Sequence, residues 1–142
     1  MEEIYWTSDL SVGIGLIDTQ HKMLIQRLND LKSAMAKQQG PASVSSTLSF
    51  LMDYTDFHFA TEEKHMADND YQDFEAHQKQ HAEFKRILSD IEEEFEEEGA
   101  TQALADSIDS LLVGWLFKHI KSVDVAFGNF LKDNRIALAE KD

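Results

Sequence analysis

The sequence contains no cysteine and very little proline or glycine. Without cysteine, disulfides, thiolate metal sites and cysteine nucleophiles are all excluded. A single proline, Pro41, and six glycines in 142 residues leave long stretches of chain uninterrupted. Such continuity favours long helices over the short, turn-bounded strands of a β fold.

Basic residues and long apolar runs are also scarce. No apolar run approaches the roughly 20 residues of a membrane span, and the N-terminus shows neither the basic nor the apolar region of a signal peptide. Thirteen Lys and Arg against 27 Asp and Glu give a formal charge of −14. Because phosphate recognition depends on clustered Lys and Arg, neither nucleic acid nor an anionic membrane is an expected partner. The sequence therefore predicts a cytoplasmic protein.

The apolar residues that are present follow four helical stripes. With 42% hydrophobic residues, the composition is that of a globular protein. Apolar positions recur in steps of three and four over residues 17–35, 44–66, 74–95 and 108–123. Asp18 or Thr19 is predicted to cap the first helix. Short connections predict an all-α, up-down-up-down four-helix bundle. We expect one domain over residues 1–142, with an extended N-terminal arm (1–16), a bundle (about 17–131) and a short tail (132–142).

Five of the six histidines, together with two carboxylates, interrupt these stripes near one level. The seven residues are His21, His58, Glu62, His77, His81, His119 and Asp124. Side chains one helical turn apart project from one face, into the interior of a bundle. A single buried histidine is usually an ordinary core residue, but burying this whole set uncompensated would cost several kcal/mol for each charged group. Coordination to metal removes that cost.

The donor set indicates the kind of metal. Nitrogen and oxygen donors without sulfur point to a first-row metal such as iron, manganese or zinc. Seven ligands are too many for one such ion and suit two ions that share bridges. The remaining histidine, His65, is predicted to lie at the surface or beside the ligands and is not included in the set.

These residues and their neighbours resemble the hemerythrins, and specifically the bacterial hemerythrin-like proteins. The resemblance spans roughly residues 6 to 131 and fills all seven ligand positions. The matching segments are Trp6, 12–14 (VGI), 17–22 (IDTQHK), 54–59 (YTDFHF) with Glu62-Glu63, 77–81 (HQKQH) with Phe84, and 115–120 (WLFKHI) with Asp124. One departure is Gln72, which follows Tyr71 where the bacterial pattern often has proline. It affects the loop before the third helix and leaves the ligands untouched.

The resemblance implies a non-heme centre of two iron ions with an oxo or hydroxo bridge. The implied ligands are His77, His81 and His119 for one iron, His21 and His58 for the other, and Glu62 and Asp124 as bridges. This count gives six ligands to the first iron and five to the second, so that one position stays open for dioxygen. The residues that resemble an apolar oxygen pocket around the open position are Leu24, Phe59, Trp115, Leu116 and Ile120.

The function implied by the resemblance is reversible dioxygen binding, for carriage, storage or sensing. The alternative is an enzyme: a di-iron oxidase, a peroxidase or a protein that handles nitric oxide. Carboxylate-rich di-iron sites in bundles typically take a Glu from each helix and Glu-x-x-His motifs. Because this site is rich in histidine instead, reversible binding is favoured over an enzyme. Besides dioxygen, a reductant or a signalling domain remains open as a partner.

Overall fold

The computed structural model describes residues 3–38 and 40–138, and in these ranges the chain is helical and contains no β-strand. Three helices are α1 (Gly15–Ala36), α2 (Pro41–Asp68) and α3 (Phe74–Glu98). The fourth, α4, covers residues 102–133. The predicted four-helix bundle is confirmed. The first two residues of the predicted arm and the last four of the predicted tail lie outside the described residues, and the proposed division into arm, bundle and tail stays a prediction.

The helix boundaries follow from local chemistry. Pro41 is the first residue of α2, where its missing N–H is no loss. Gly99 ends α3 with a φ of 79°, a conformation that favours glycine. The side-chain oxygen of Thr101 accepts a hydrogen bond from the backbone N–H of Leu104 (3.0 Å) and so caps α4.

The predicted cap of α1 is wrong. The helix begins at Gly15, before either candidate, and the carboxylate of Asp18 is used differently. It accepts hydrogen bonds from the backbone N–H of Val12 (2.8 Å) and the hydroxyl of Ser11 (2.6 Å). Asp18 therefore fastens the N-terminal arm to the first turn of α1. The arm contains a 3₁₀ turn (Ser8–Leu10) and buries apolar residues against the bundle.

Helix α4 is not a regular α-helix. Its α-helical segments Gln102–Ser107, Gly114–His119 and Val125–Asp133 alternate with the π-helical segments Ile108–Val113 and Ile120–Asp124. In an α-helix with 3.6 residues per turn, side chains five positions apart diverge. A π turn, with its i to i+5 hydrogen bond, brings them to one face. His119 and Asp124 are five residues apart. The expectation that ligands on one helix are separated by a single α-helical turn is therefore wrong for this pair, which is separated by a π turn.

The core follows the predicted stripes in α1 and α2, where every stripe position from Ile17 to Met35 and from Val44 to Met66 is buried. In α4, Leu112 is buried, whereas its neighbour Leu111 is 48% exposed. Trp115 is only partly buried, and Leu116 takes the position facing the core. None of the helices in the described ranges combines the length and apolar character needed to cross a membrane.

Candidate metal centre

The seven predicted ligand residues meet at one end of the bundle. They lie near the start of α1, the end of α2, the start of α3 and the second half of α4. Because neighbouring helices run in opposite directions, these positions fall at the same level. All seven residues are at most 3% exposed. The single polar level expected from the sequence is therefore a buried cluster.

The possible ligand atoms sort into two overlapping groups, in each of which these atoms lie within 4.8 Å of one another. One group contains Glu62, His77, His81, His119 and Asp124; the other contains His21, His58, Glu62 and Asp124. His65, which is partly buried, belongs to neither group. Two groups that share both carboxylates could hold two metal ions side by side.

Glu62 divides its two carboxylate oxygens between these groups. Its Oε1 lies 3.1 Å from Nε2 of His81 and 3.3 Å from Nε2 of His77. Its Oε2 lies 3.3 Å from Nε2 of His58 and 3.6 Å from Nε2 of His21. Each oxygen therefore faces the histidines of one group only.

Asp124 divides its oxygens in the same way. Its Oδ1 lies 3.0 Å from Nε2 of His77 and 3.2 Å from Nε2 of His119. Its Oδ2 lies 2.9 Å from Nε2 of His21. Two carboxylates, each directing one oxygen to either side, could bridge two neighbouring cations.

The site's electrostatics keep both carboxylates ionised. Burial alone would raise the pKa of Glu62, but its contacts with His58, His21 and His77 hold it well below its usual range. The pKa of Asp124 is likewise lowered, because its contacts with His119 and His21 outweigh burial and the neighbouring charge of Glu62. Ionised carboxylates are the form that binds a cation.

Burial and the nearby carboxylates shift the pKa values of the histidines in different directions. Burial lowers the pKa of His58. In His21 and His77, burial is outweighed by contacts with Asp124 and Glu62, which raise the pKa to about 9. Below this pH, His21 and His77 each carry an additional proton. These protons occupy the place that a metal ion would take, because a ligating imidazole must be neutral at the ligating nitrogen.

The inward-facing nitrogen and oxygen atoms of the cluster are better placed to bind a metal ion than to form hydrogen bonds with one another. Among the described residues, both oxygens of Glu62 and of Asp124 lack a partner in hydrogen-bonding geometry. The same holds for Nε2 of His21, His77, His81 and His119. Buried polar atoms are normally satisfied, so a convergent set of unsatisfied donors and acceptors calls for an ion. Imidazole nitrogen and carboxylate oxygen suit first-row cations.

Three of the histidines are oriented by acceptors on a neighbouring helix. Nδ1 of His58 donates to the side-chain oxygen of Gln20, and Nδ1 of His119 donates to that of Gln80, each at 2.8 Å. Nδ1 of His81 donates to Oε2 of Glu63 at 2.8 Å. A proton on Nδ1 leaves the lone pair on Nε2, which faces the centre, free to bind metal.

These three acceptors were not predicted from the sequence. A signal was present, because Gln20 and Gln80 each directly precede a ligand, and Glu63 directly follows one. Each nevertheless serves a histidine on the next helix: α1 supports α2, α2 supports α3, and α3 supports α4. Such partnerships become visible only when the helices are placed side by side.

Aromatic side chains pack against the histidines of the cluster. Phe59 stacks on His81 with ring centroids 3.8 Å apart, and Trp115 stacks on His119 at 4.5 Å. Of the predicted pocket residues, Leu24, Phe59, Leu116 and Ile120 are fully buried, whereas Trp115 reaches the surface. Both stacked histidines belong to the larger group, which contains three histidines. The assignment of these residues to an oxygen pocket stays a prediction.

The fold and the site together define a four-helix bundle with a buried cluster of five histidines and two shared carboxylates that could hold two metal ions. A sequence model of the hemerythrin HHE cation binding domain matches residues 12–128. The chain therefore belongs to the hemerythrin family, and the resemblance noted in the sequence is confirmed.

Individual relatives cover most of the chain. It is 38% identical over 129 residues to a bacteriohemerythrin of Pseudomonas aeruginosa, a match covering 89% of this chain and 80% of the relative. It is 28% identical over 126 residues to a myohemerythrin of Theromyzon tessulatum, covering 89% and 92%. The crystal structure of a wild-type hemerythrin superposes with a TM-score of 0.80 at 28% identity, covering 90% of this chain and 97% of that one.

Proposed function

We propose that this chain binds dioxygen reversibly at a non-heme di-iron centre. The supporting observation is that Glu62 and Asp124 each direct one oxygen to either histidine group. The proposed ligands are His21, His58, Glu62, His77, His81, His119 and Asp124. Membership of the hemerythrin family supports iron as the metal.

The inequality of the two groups indicates where dioxygen binds. One group offers five residues and the other four, because only His21 and His58 stand on the second side. If an oxo or hydroxo group bridged two irons held there, the first iron would have six ligands and the second would have five. The open position is therefore adjacent to His21 and His58, which is the basis of the proposed binding function.

The chemistry supplied by a bound di-iron pair is the reversible transfer of two electrons to dioxygen. The chain's contribution is to hold the donors in place and to keep water away. Gln20 fixes the ring of His58, so that its Nε2 stays directed inward. Leu24, Leu116 and Ile120 are at most 1% exposed and exclude water from the surroundings of the centre. Restricted access of water and protons favours release of intact dioxygen over oxidation of the metals.

The physiological use is carriage, storage or sensing of dioxygen. A cytoplasmic location, and a reductant or a signalling domain as a further partner, are retained as predictions from the sequence. Nothing in the comparisons favours the alternative of a di-iron oxidase, peroxidase or nitric-oxide-handling enzyme, and we place the chain among binding proteins.

Metal analysis combined with optical spectra under argon and air tests the proposal. We expect two irons per chain, and a visible charge-transfer band that forms in air, disappears on deoxygenation and returns over repeated cycles. Rapid bleaching with release of peroxide, or turnover of a substrate, would instead support an enzyme. A chain that takes up a single zinc ion and no iron pair would contradict both functions.

A further inference from the structure

The three acceptors that orient the ligand histidines differ in charge. Gln20 and Gln80 are neutral amides, whereas Glu63 is a carboxylate. Glu63 and Gln80 both support histidines of the larger group, through His81 and His119. Within that group, one imidazole therefore donates its Nδ1 proton to a negative charge and another donates to an amide.

Glu63 is held firmly in this role. Its Oε2 accepts from Nδ1 of His81 at 2.8 Å, and its Oε1 accepts from the amide nitrogen of Gln78 at 3.1 Å. Both oxygens are thus engaged, one toward the buried centre and one toward the outside. The His81 side chain is 1% exposed and that of Glu63 is 22% exposed. The carboxylate is therefore partly shielded from solvent.

The outer side of Glu63 forms part of an open cavity of about 570 Å³, which is also lined by Gln78, Lys79 and Lys85. Solvent reaches the carboxylate through this cavity, so Glu63 keeps its hydration on one side while it accepts the imidazole proton on the other. The desolvation free energy of a carboxylate in this position is smaller than that of a fully buried carboxylate. It can act on the centre without occupying a coordination position.

We propose that Glu63 is a positioning residue that makes His81 the strongest imidazole donor of the site and thereby lowers the reduction potential of the di-iron centre. A carboxylate that accepts the Nδ1 proton increases electron density at Nε2 and raises the basicity of the ligand. A more basic ligand and an added negative charge both stabilise the ferric over the ferrous state. The inference rests on the proposed di-iron function and adds to it a residue that sets the reduction potential of the centre.

The decisive experiment moves the charge between two equivalent positions. Glu63→Gln keeps an acceptor for His81 and removes the charge, whereas Gln80→Glu introduces a charge behind His119. In spectroelectrochemical titrations of the iron-loaded proteins, Glu63→Gln should shift the midpoint potential to more positive values. Gln80→Glu should shift it to more negative values, and the double variant should return toward the parent value. A purely structural role for Glu63 would not produce these opposite shifts.

Cobalt(II) affinity gives a second readout that requires neither iron nor dioxygen. Competition titrations monitored by the cobalt ligand-field bands should show weaker binding to Glu63→Gln, by about tenfold or more, and Glu63→Asp should recover part of the loss. An unchanged potential in iron-loaded Glu63→Gln would overturn the proposal, as would unchanged cobalt affinity in a variant that loses iron. If the parent chain binds cobalt at the site but shows no reversible oxygen binding, the proposed function fails while the cobalt comparison still tests Glu63.

Discussion

Gly128 in α4 lies directly against the backbone carbonyl of Val12, so that a Cβ atom at position 128 would overlap that carbonyl oxygen and crowd the Val12 side chain. Val12 is 2% exposed and belongs to the arm that Asp18 fastens to α1. The arm therefore reaches its place on α4 only because position 128 carries no side chain. This contact lies one helical turn beyond the ligand residue Asp124.

Gly128→Ala should destabilise the protein by about 1–3 kcal/mol, the usual cost of inserting an extra group into a packed contact. Backbone atoms of Val12 cannot yield as the end of a flexible side chain can, so the arm must shift. Gly114→Ala is the matched control, because this helical glycine has open space around it. It should stabilise by about 0.5–1 kcal/mol through helix propensity. Equilibrium denaturation at equal metal content measures both, and equal effects of the two changes would contradict the packing argument.

His77→Ala should reduce the iron content from two ions toward one per chain. Nε2 of His77 faces both Glu62 and Asp124, so its loss weakens the three-histidine position most directly. His65→Ala serves as the control, because His65 stands outside both ligand groups among the described residues. Iron is measured by elemental analysis after identical loading. Two irons in His77→Ala, or a loss of iron in His65→Ala, would refute the ligand assignment.

Helix α2 shows how far the buried positions of the bundle can be predicted from the sequence. Apart from Phe59, its buried positions follow the three-and-four stripe, because aliphatic residues, Thr55, His58 and Glu62 occupy one face. Periodicity records burial directly, since each residue of a regular helix has a fixed direction. The same rule located the ligand histidines, and their convergence followed from alternating helix directions alone.

Features that depend on contacts between helices could not be predicted in this way. Lys32 is 5% exposed and pairs with Asp109 across the bundle at 2.9 Å, although a lysine in a sequence indicates a solvated surface. The π turn before Asp124 is equally hidden, because a spacing of five carries no helical signal of its own. The acceptors of the Nδ1 protons belong to the same class. The ion pair and these acceptors result from the register of two helices, and the π turn results from the backbone of α4, so none of them can be read from one stripe.

Leu116→Ala should retain two irons and accelerate autoxidation of the oxygenated protein. Leu116 is 1% exposed and lies one turn before His119, so the truncation opens space for water beside the site. Its stability cost should be about 2–5 kcal/mol. Leu112→Ala, a change at an equally buried position one turn further from His119, should cost a similar amount and leave autoxidation unchanged. Decay of the oxygenated spectrum measures the rate. Equal rates in Leu116→Ala and the parent protein would remove Leu116 from the proposed pocket.

Protein stripped of metal should lose stability as the pH rises from 6.5 to about 9. Contacts with Asp124 and Glu62 outweigh burial and raise the pKa of His21 and His77 from 6.5 to about 9. A raised pKa contributes stability that is complete below the unfolded value and is lost as the pH passes the folded value. His58, whose pKa is lowered by burial, is neutral throughout this window and does not change the sign.

Metal binding should show the opposite dependence on pH. A metal ion must displace the protons on His21 and His77, so binding releases protons and becomes tighter as the pH rises across the same window. Denaturation of the stripped protein at both pH values, together with cobalt titrations in the presence of a pH indicator, measures the two effects. Greater stability of the stripped protein at pH 9 than at pH 6.5, or metal uptake without proton release, would show that protons do not occupy the ligand positions of His21 and His77.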